Sequence, residues 1–125
     1  MRKQYHFRPG TGGGLDAWDV DRLLALVASQ PVERIPLDQI AELDTEYWFG
    51  HGSTPTVRNL AEHFRLMTEL DPRFPIVVDP GGGVMDGMHR VARALAEGKA
   101  DIEAKRLTIM PEPDYRDCRP DDLPY

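Results

Sequence analysis

The stretch Pro75-Ile76-Val77-Val78-Asp79-Pro80-Gly81-Gly82-Gly83-Val84-Met85-Asp86-Gly87-Met88-His89-Arg90-Val91-Ala92-Arg93-Ala94-Leu95 decides the fold. It opens with an apolar, β-branched run, Ile76-Val77-Val78, which predicts a buried strand. The glycines that follow predict a turn, and Val84-Met85-Asp86 a short returning strand. Across Gly87 the period changes. Met88, Val91, Ala92 and Leu95 recur at i, i+3, i+4 and i+7, the spacing of one helical face. Strand, turn, strand, helix in so few residues predicts an α/β (α+β) domain: a small mixed sheet flanked by helices. Gly98 is placed to end the helix.

On the N-terminal side, Tyr5-His6-Phe7 predicts a short strand. Pro9-Gly10-Thr11-Gly12-Gly13-Gly14 then breaks regular structure. A glycine run can wrap a phosphate, but this one lacks the Lys-Ser/Thr ending of a P-loop, so a surface loop is expected. Residues 16–29 predict a first helix, capped by Asp16, with Val20, Leu23, Leu24 and Val27 on one face and Pro31 after its end. Arg34-Ile35-Pro36-Leu37 predicts a short strand at a sheet edge or strand end. Residues 40–49 show no clear period. Their aromatic cluster Tyr47-Trp48-Phe49 predicts core, with a base-stacking platform as the alternative, and Gly50-His51-Gly52-Ser53 predicts loop. Thr54-Pro55 opens a second helix with threonine as cap and proline at the first helical position. Val57, Leu60, Ala61, Phe64 and Met67 hold its spacing, and Asp71-Pro72 closes it. On the C-terminal side, residues 102–109 predict the last strand. Residues 110–125, rich in proline and acid, predict a loosely packed tail.

The chain has 125 residues, enough for one domain with a real core and no staples. We expect a single domain over residues 1–125. A single cysteine, Cys118, excludes an internal disulfide framework and points to a reducing compartment. No apolar run approaches the roughly 20 residues of a membrane helix, and the basic N-terminus has no apolar stretch behind it. A cytoplasmic location is expected, with no membrane partner. The net charge of −6 argues against general nucleic-acid affinity, which depends on cations that displace counterions. It leaves room for a local basic pocket from Arg90, Arg93, Lys99, Lys105 and Arg106. His6, His51 and His63 show no metal-ligand spacing with one another or with Cys118, and read as surface or structural.

Chemistry concentrates at Asp86-Gly87-Met88-His89-Arg90. The first turn of a helix presents unpaired N–H groups and the positive end of its dipole, so it attracts anions. Gly87 removes a side chain where backbone must approach a ligand. Arg90 adds a planar, permanently charged fork of donors, and His89 can donate or move a proton near neutral pH. Asp86 can cap the helix, hold a Mg2+ ion or orient His89. Arg93 widens the positive field or pairs with Glu97. Taken singly, Asp86 reads equally well as a plain helix cap, and Arg90 reads better as a solvated arginine than as a ligand. The combination after an apolar hairpin is what points to a site.

These residues resemble the central segment of the ParB/sulfiredoxin superfamily, whose members read approximately as Pro-Ile-Val-Val, turn, hydrophobic, Asp-Gly-x-His-Arg, helix. Ile35-Pro36-Leu37-Asp38-Gln39-Ile40 resembles the family's opening strand and residues 55–70 its intervening helix, so the likeness covers about 34–107. The resemblance implies a phosphate site at the helix start, formed by Gly87, Met88, His89, Arg90 and Arg93. It also implies a nucleotide ligand (ATP, ADP or CTP) with Mg2+, or another phosphorylated small molecule. Family members include CTP-binding partition proteins, sulfiredoxins and ADP-dependent serine kinases. The chain departs from each of them. Met88 stands where sulfiredoxins carry their cysteine, and the chain is not expected to reach the helix-turn-helix of partition proteins. The kinases carry an acid soon after the opening strand. Glu42, Asp44 and Glu46 lie there, and Glu46 is taken as the candidate. The expected catalytic set is therefore Glu46, Asp86 and His89, in a small phosphotransferase or nucleotide hydrolase. The alternative is a non-catalytic module that senses a nucleotide or serves DNA partitioning, although nucleic acid is not expected to bind this chain alone.

Overall fold

The structure is a computed structural model that describes residues 3–50 and 55–125. Seven strands and three α-helices follow in the order β1 (Tyr5–Pro9), β2 (Leu15–Asp19), α1 (Val20–Leu26), β3 (Glu33–Pro36), α2 (Val57–Glu69), β4 (Ile76–Val78), β5 (Val84–Asp86), α3 (Met88–Ala96), β6 (Asp101–Arg106) and β7 (Tyr115–Cys118). A four-stranded mixed sheet runs β3-β6-β4-β5, with β4 and β6 parallel and the other pairs antiparallel. A second, antiparallel sheet runs β1-β2-β7. The expected α+β architecture with a mixed sheet and flanking helices is what forms.

The β4–α3 segment builds the core through its two periods. Ile76, Val78 and Val84 point to one side of the mixed sheet, where they pack with Ile35, Ala104 and the Met88, Val91 and Ala94 face of α3. Val77 and Met85 point to the other side and pack with Leu107 and with Trp18, Leu23 and Val27 around α1. Alternation at period two thus feeds two cores from one hairpin. The β4–β5 turn is tied by Asp79, whose Oδ1 accepts from the N–H groups of Gly81 and Gly83 at 2.8 and 2.9 Å. Gly87 has φ +103°, and a Cβ there would stand 2.7 Å from Cγ2 of Ile76. Only glycine lets the chain leave β5 and enter α3 so close to β4. Gly98, with φ +76°, follows the last helical residues, as expected of a terminating glycine. Strand β3 lies at the sheet edge, where Pro36, which has no N–H to donate to a ladder, is tolerated.

Four expectations are corrected. The helix expected over 16–29 starts later. Leu15–Asp19 is strand β2, paired with β1, and Asp19 rather than Asp16 caps α1 by accepting from the Asp21 N–H at 2.9 Å. Hairpin pairing with β1 overrides the helical spacing at its front end. The second helix starts at Val57 with Thr56 as cap; Pro55 precedes it, and Thr54 and the loop residues 51–53 lie outside the described residues. Its apolar stripe does not face the core. Val57, Leu60 and Phe64 are 86%, 54% and 65% exposed, while His63, Met67 and Leu70 turn inward. Spacing fixes which residues share a face, but not what covers that face. The last core strand ends at Arg106; Leu107 is buried beside it and Ile109 is exposed.

The fourth correction concerns the tail. Residues 110–125 pack against the domain: β7 pairs with β2, the Trp18 indole N–H donates to the Pro111 carbonyl at 2.8 Å, and Leu123 is buried. Proline excludes a helix there but not an edge strand. Among the described residues no helix is long and apolar enough to cross a membrane.

Candidate functional site

Asp86 ends β5 and Arg90 lies one turn into α3, so the Gly87 bend brings the two side chains together. Their closest approach is 3.6 Å, a loose ion pair, and both side chains are largely buried. Burial pushes the Asp86 carboxyl above its usual range, against the downward pull of Arg90. The guanidinium carbon of Arg90 stands 5.9 Å from the ring centre of Phe74. Among the described residues, Arg90 Nε is the only buried side-chain nitrogen or oxygen without a hydrogen-bond partner. Such an orphan is uncommon in a folded protein and costs about 1–3 kcal/mol relative to a satisfied donor.

Two clefts meet at this arginine. The larger, about 1020 Å³, runs between α1 and the segment after α2; Asp86, Arg90, Lys3 and Lys105 line it together with Leu24, Leu70 and Phe74. The smaller, about 290 Å³, is lined by Arg34, Arg73, Arg93 and Lys99, and again by Phe74 and Arg90. The basic stretch expected as one pocket is thus divided. Arg90 faces both clefts, Lys105 the larger, and Arg93 and Lys99 the smaller, whereas Arg106 is engaged by Glu33 and the Pro80 carbonyl. Arg93 also holds α2 in place, donating to the Leu70 carbonyl at 3.2 Å.

The other expected ligands sit differently. The Arg90 N–H donates to the Gly87 carbonyl at 2.9 Å, so this amide is already used inside the helix. Met88 is buried in the core, and Gly87, Met88 and His89 line neither cleft. His89 belongs to a stack. Its Nε2 lies 2.7 Å from Nδ1 of His63, and the Trp48 ring covers both imidazoles at centroid distances of 4.6 and 4.2 Å. Burial lowers the pKa of His89 to about 4 and depresses that of His63 as well. His63 therefore has a partner that its lack of metal spacing did not reveal. The signal was available: His63, Met67 and Leu70 share the inward face of α2 at i, i+4 and i+7.

Glu46 is exposed and lines neither cleft; its carbonyl accepts from the Phe49 and Gly50 N–H groups. Of the three acids in that region, Glu42 is the one that reaches the hairpin, where its Oε2 accepts from the Val84 N–H at 2.7 Å. Glu42 thereby caps an edge of β5 and is engaged structurally. This leaves Asp86 as the acid beside Arg90.

A Mg2+ ion finds no ready cage here. Among the described residues no three histidine, cysteine or carboxylate side chains converge as metal ligands. Asp86 alone, joined by ligand phosphates, fits the way Mg2+ is commonly held, through one or two carboxylates and substrate oxygens. The arrangement can receive an oxyanion: a guanidinium held between Asp86 and Phe74, with one donor to spare and partly screened from water, in the wall of a cleft that also carries the carboxylates of Asp21, Glu69 and Asp71. Comparison with protein-family models, curated proteins and solved structures finds no match to this chain.

Proposed function

We propose that this domain binds a phosphorylated small molecule of the nucleotide class, such as ATP, ADP or CTP with Mg2+, and that the Arg90 guanidinium is its phosphate ligand. One observation carries the reading: Arg90 Nε is buried and unpartnered in a wall shared by two clefts. The side chain keeps 23% of its surface open, and a phosphate oxygen reaching that open edge would supply an acceptor that the protein withholds, although Nε itself has no open surface. The likeness of the 75–95 segment to the ParB/sulfiredoxin superfamily supports the same reading, as does the glycine-enforced bend that sets Arg90 beside Asp86. The reading differs from a helix N-terminal site in its donors, which are the Arg90 side chain rather than the amides of residues 87–90.

If the bound nucleotide is turned over, as a phosphotransferase or hydrolase would do, Asp86 is the acid placed to take the proton or hold Mg2+ against the phosphates. Without turnover the same site is a nucleotide-sensing module. A nucleotide ligand and a free Cys118 thiol both support a cytoplasmic setting for the domain.

Calorimetry with ATP, ADP, CTP and pyrophosphate in the presence of Mg2+ tests the proposal. A charge-assisted hydrogen bond to arginine is worth about 1.5–3 kcal/mol, so Arg90→Ala should weaken binding roughly 10- to 150-fold. Asp86→Asn should abolish any turnover while binding persists. Absence of binding by the wild-type chain, or equal affinity in Arg90→Ala with its fold intact, overturns the assignment.

A further inference from the structure

Phosphate recognition by Arg90 leaves the rest of the larger cleft unexplained. Most of its wall is not charged. Leu24 of α1, Leu66 and Leu70 beside the C-terminus of α2, and Phe74 give it apolar surface, alongside Asp86 and Arg90. A site made for inorganic phosphate or pyrophosphate has no need of that surface. Phe74 is 60% exposed, a large ring held open in a cleft rather than packed into either core. Its ring centre lies 5.9 Å from the Arg90 guanidinium carbon, so an aromatic platform and the oxyanion ligand stand side by side.

We propose that Phe74 and Leu24 form a subsite for the planar base of a nucleotide whose phosphates reach Arg90, so that the ligand is a nucleotide and not a sugar phosphate or a free polyphosphate. This rests on the phosphate reading above and narrows it. Exposed aromatic rings bind bases through their π-faces, with little preference among bases unless hydrogen-bond donors are added. Leu24, 44% exposed, adds apolar surface to the same cleft. Lys3 is paired with Asp19 and Asp21, Lys105 donates to the Ala28 carbonyl, and Asp21, Glu69 and Asp71 line the same cleft, so the attraction for phosphate is confined to Arg90 and the rest of the ligand is held by apolar contact.

The experiment compares ATP, CTP, pyrophosphate and ribose 5-phosphate by calorimetry on the wild-type chain and on Phe74→Ala, Phe74→Tyr and Arg90→Ala. The wild type should bind both nucleotides more tightly than either of the other compounds. Base stacking on an aromatic side chain contributes enough that Phe74→Ala should weaken nucleotide binding about 5- to 150-fold. The ratio of nucleotide to pyrophosphate affinity should fall toward one in that variant, and Phe74→Tyr, which keeps the ring, should restore it. Pyrophosphate or ribose 5-phosphate binding as tightly as ATP in the wild type overturns the base subsite. An equal loss for nucleotide and pyrophosphate in Phe74→Ala also overturns it, because Phe74 would then act only by holding Arg90. Those results leave the phosphate reading standing. That reading fails separately, if pyrophosphate and nucleotides do not bind or if Arg90→Ala binds them as the wild type does.

Discussion

The molecule has two glycine-rich turns, and they are built to opposite ends. The turn at residues 10–14 joins β1 to β2 and closes around a carboxylate of its own chain. The Gly12 N–H donates to Asp117 Oδ1 at 2.8 Å, and a Cβ at Gly12 or Gly14 would come within 2.7 or 2.6 Å of Asp117. Asp117 holds φ +48°, the only positive value at a non-glycine position among the described residues. The segment from Gly81 to Arg90 is held as firmly, by Asp79 and by the Gly87 bend, yet it ends on an arginine with a donor left over. The first turn satisfies its anion-seeking groups internally, whereas the second leaves one arginine donor unsatisfied. Glycine content does not separate a structural turn from a binding turn, but the accounting of polar partners does.

The largest effect should come from the bend itself. Gly87→Ala adds the strain of a left-handed conformation and forces a methyl group against Ile76. Each of these costs about 1–3 kcal/mol, so urea unfolding should show a loss of about 2–6 kcal/mol. Gly13 also has a positive φ, +94°, but a Cβ there meets nothing within 4 Å. Gly13→Ala should therefore cost only about 1 kcal/mol. Equal losses at the two sites would remove the close approach to β4 as the reason for Gly87.

Acid titration reads both regions at once. His6 on β1 accepts from Arg8 Nε at 2.9 Å, and burial together with the Arg8 charge lowers its pKa to about 4; His89 at the start of α3 is lowered to about 4 by burial and by His63. A histidine whose folded pKa lies below its unfolded value, about 6.5, binds fewer protons in the folded state. Its contribution is therefore whole above pH 6.5 and is lost as pH falls toward 4. For buried His6 the full loss is on the order of 3 kcal/mol. Asp86, with its carboxyl raised by burial, works in the opposite sense and recovers some stability as it takes up a proton. NMR titration of the imidazole C–H signals should show His6 and His89 still neutral at pH 5.5. A normal value at His89 would dissolve the Trp48 stack as drawn.

An effect of intermediate size should appear at the internally closed turn. Asp117→Ala removes the acceptor of the Gly12 N–H and should destabilise the chain by about 1–2 kcal/mol. Nucleotide affinity should stay unchanged. A change in affinity would join the two turns into one site and end the contrast between them.

The second turn was legible in the sequence because its signals are local. The β-branched run Ile76-Val77-Val78, the glycines and the spacing of Met88 and Val91 each depend on near neighbours and are found in place, whereas Leu95, expected on the same face, is 53% exposed and Ala94 is buried instead. The first turn was legible as a break but not in purpose, because its partner Asp117 lies 105 residues away. A like distance in sequence hid β7 inside an expected tail, while β2, paired with nearby β1, was masked by helical spacing that continues into α1. At the site, Asp86 and Arg90 could be paired from their i, i+4 spacing. Phe74 and the His63–Trp48 stack could not, since three separate elements bring them to α3.

The smallest stability effect is the sharpest test of the comparison. If Arg90 is present for a ligand, the fold should not need it. Arg90→Met keeps an unbranched apolar stem of similar reach against Phe74 and removes the buried, unpartnered Nε, which should gain about 1–3 kcal/mol. Against this, the variant loses the 3.6 Å pairing with Asp86, and that carboxyl, already raised by burial, should move higher and go neutral more readily. The opposing terms are of similar size, so the urea midpoint should shift by no more than the equivalent of about 1 kcal/mol in either direction. Nucleotide affinity should fall at the same time by the factor expected of a lost guanidinium. A loss of more than about 2 kcal/mol would show that Arg90 holds α3 to its surroundings, and the second turn would then be as self-contained as the first.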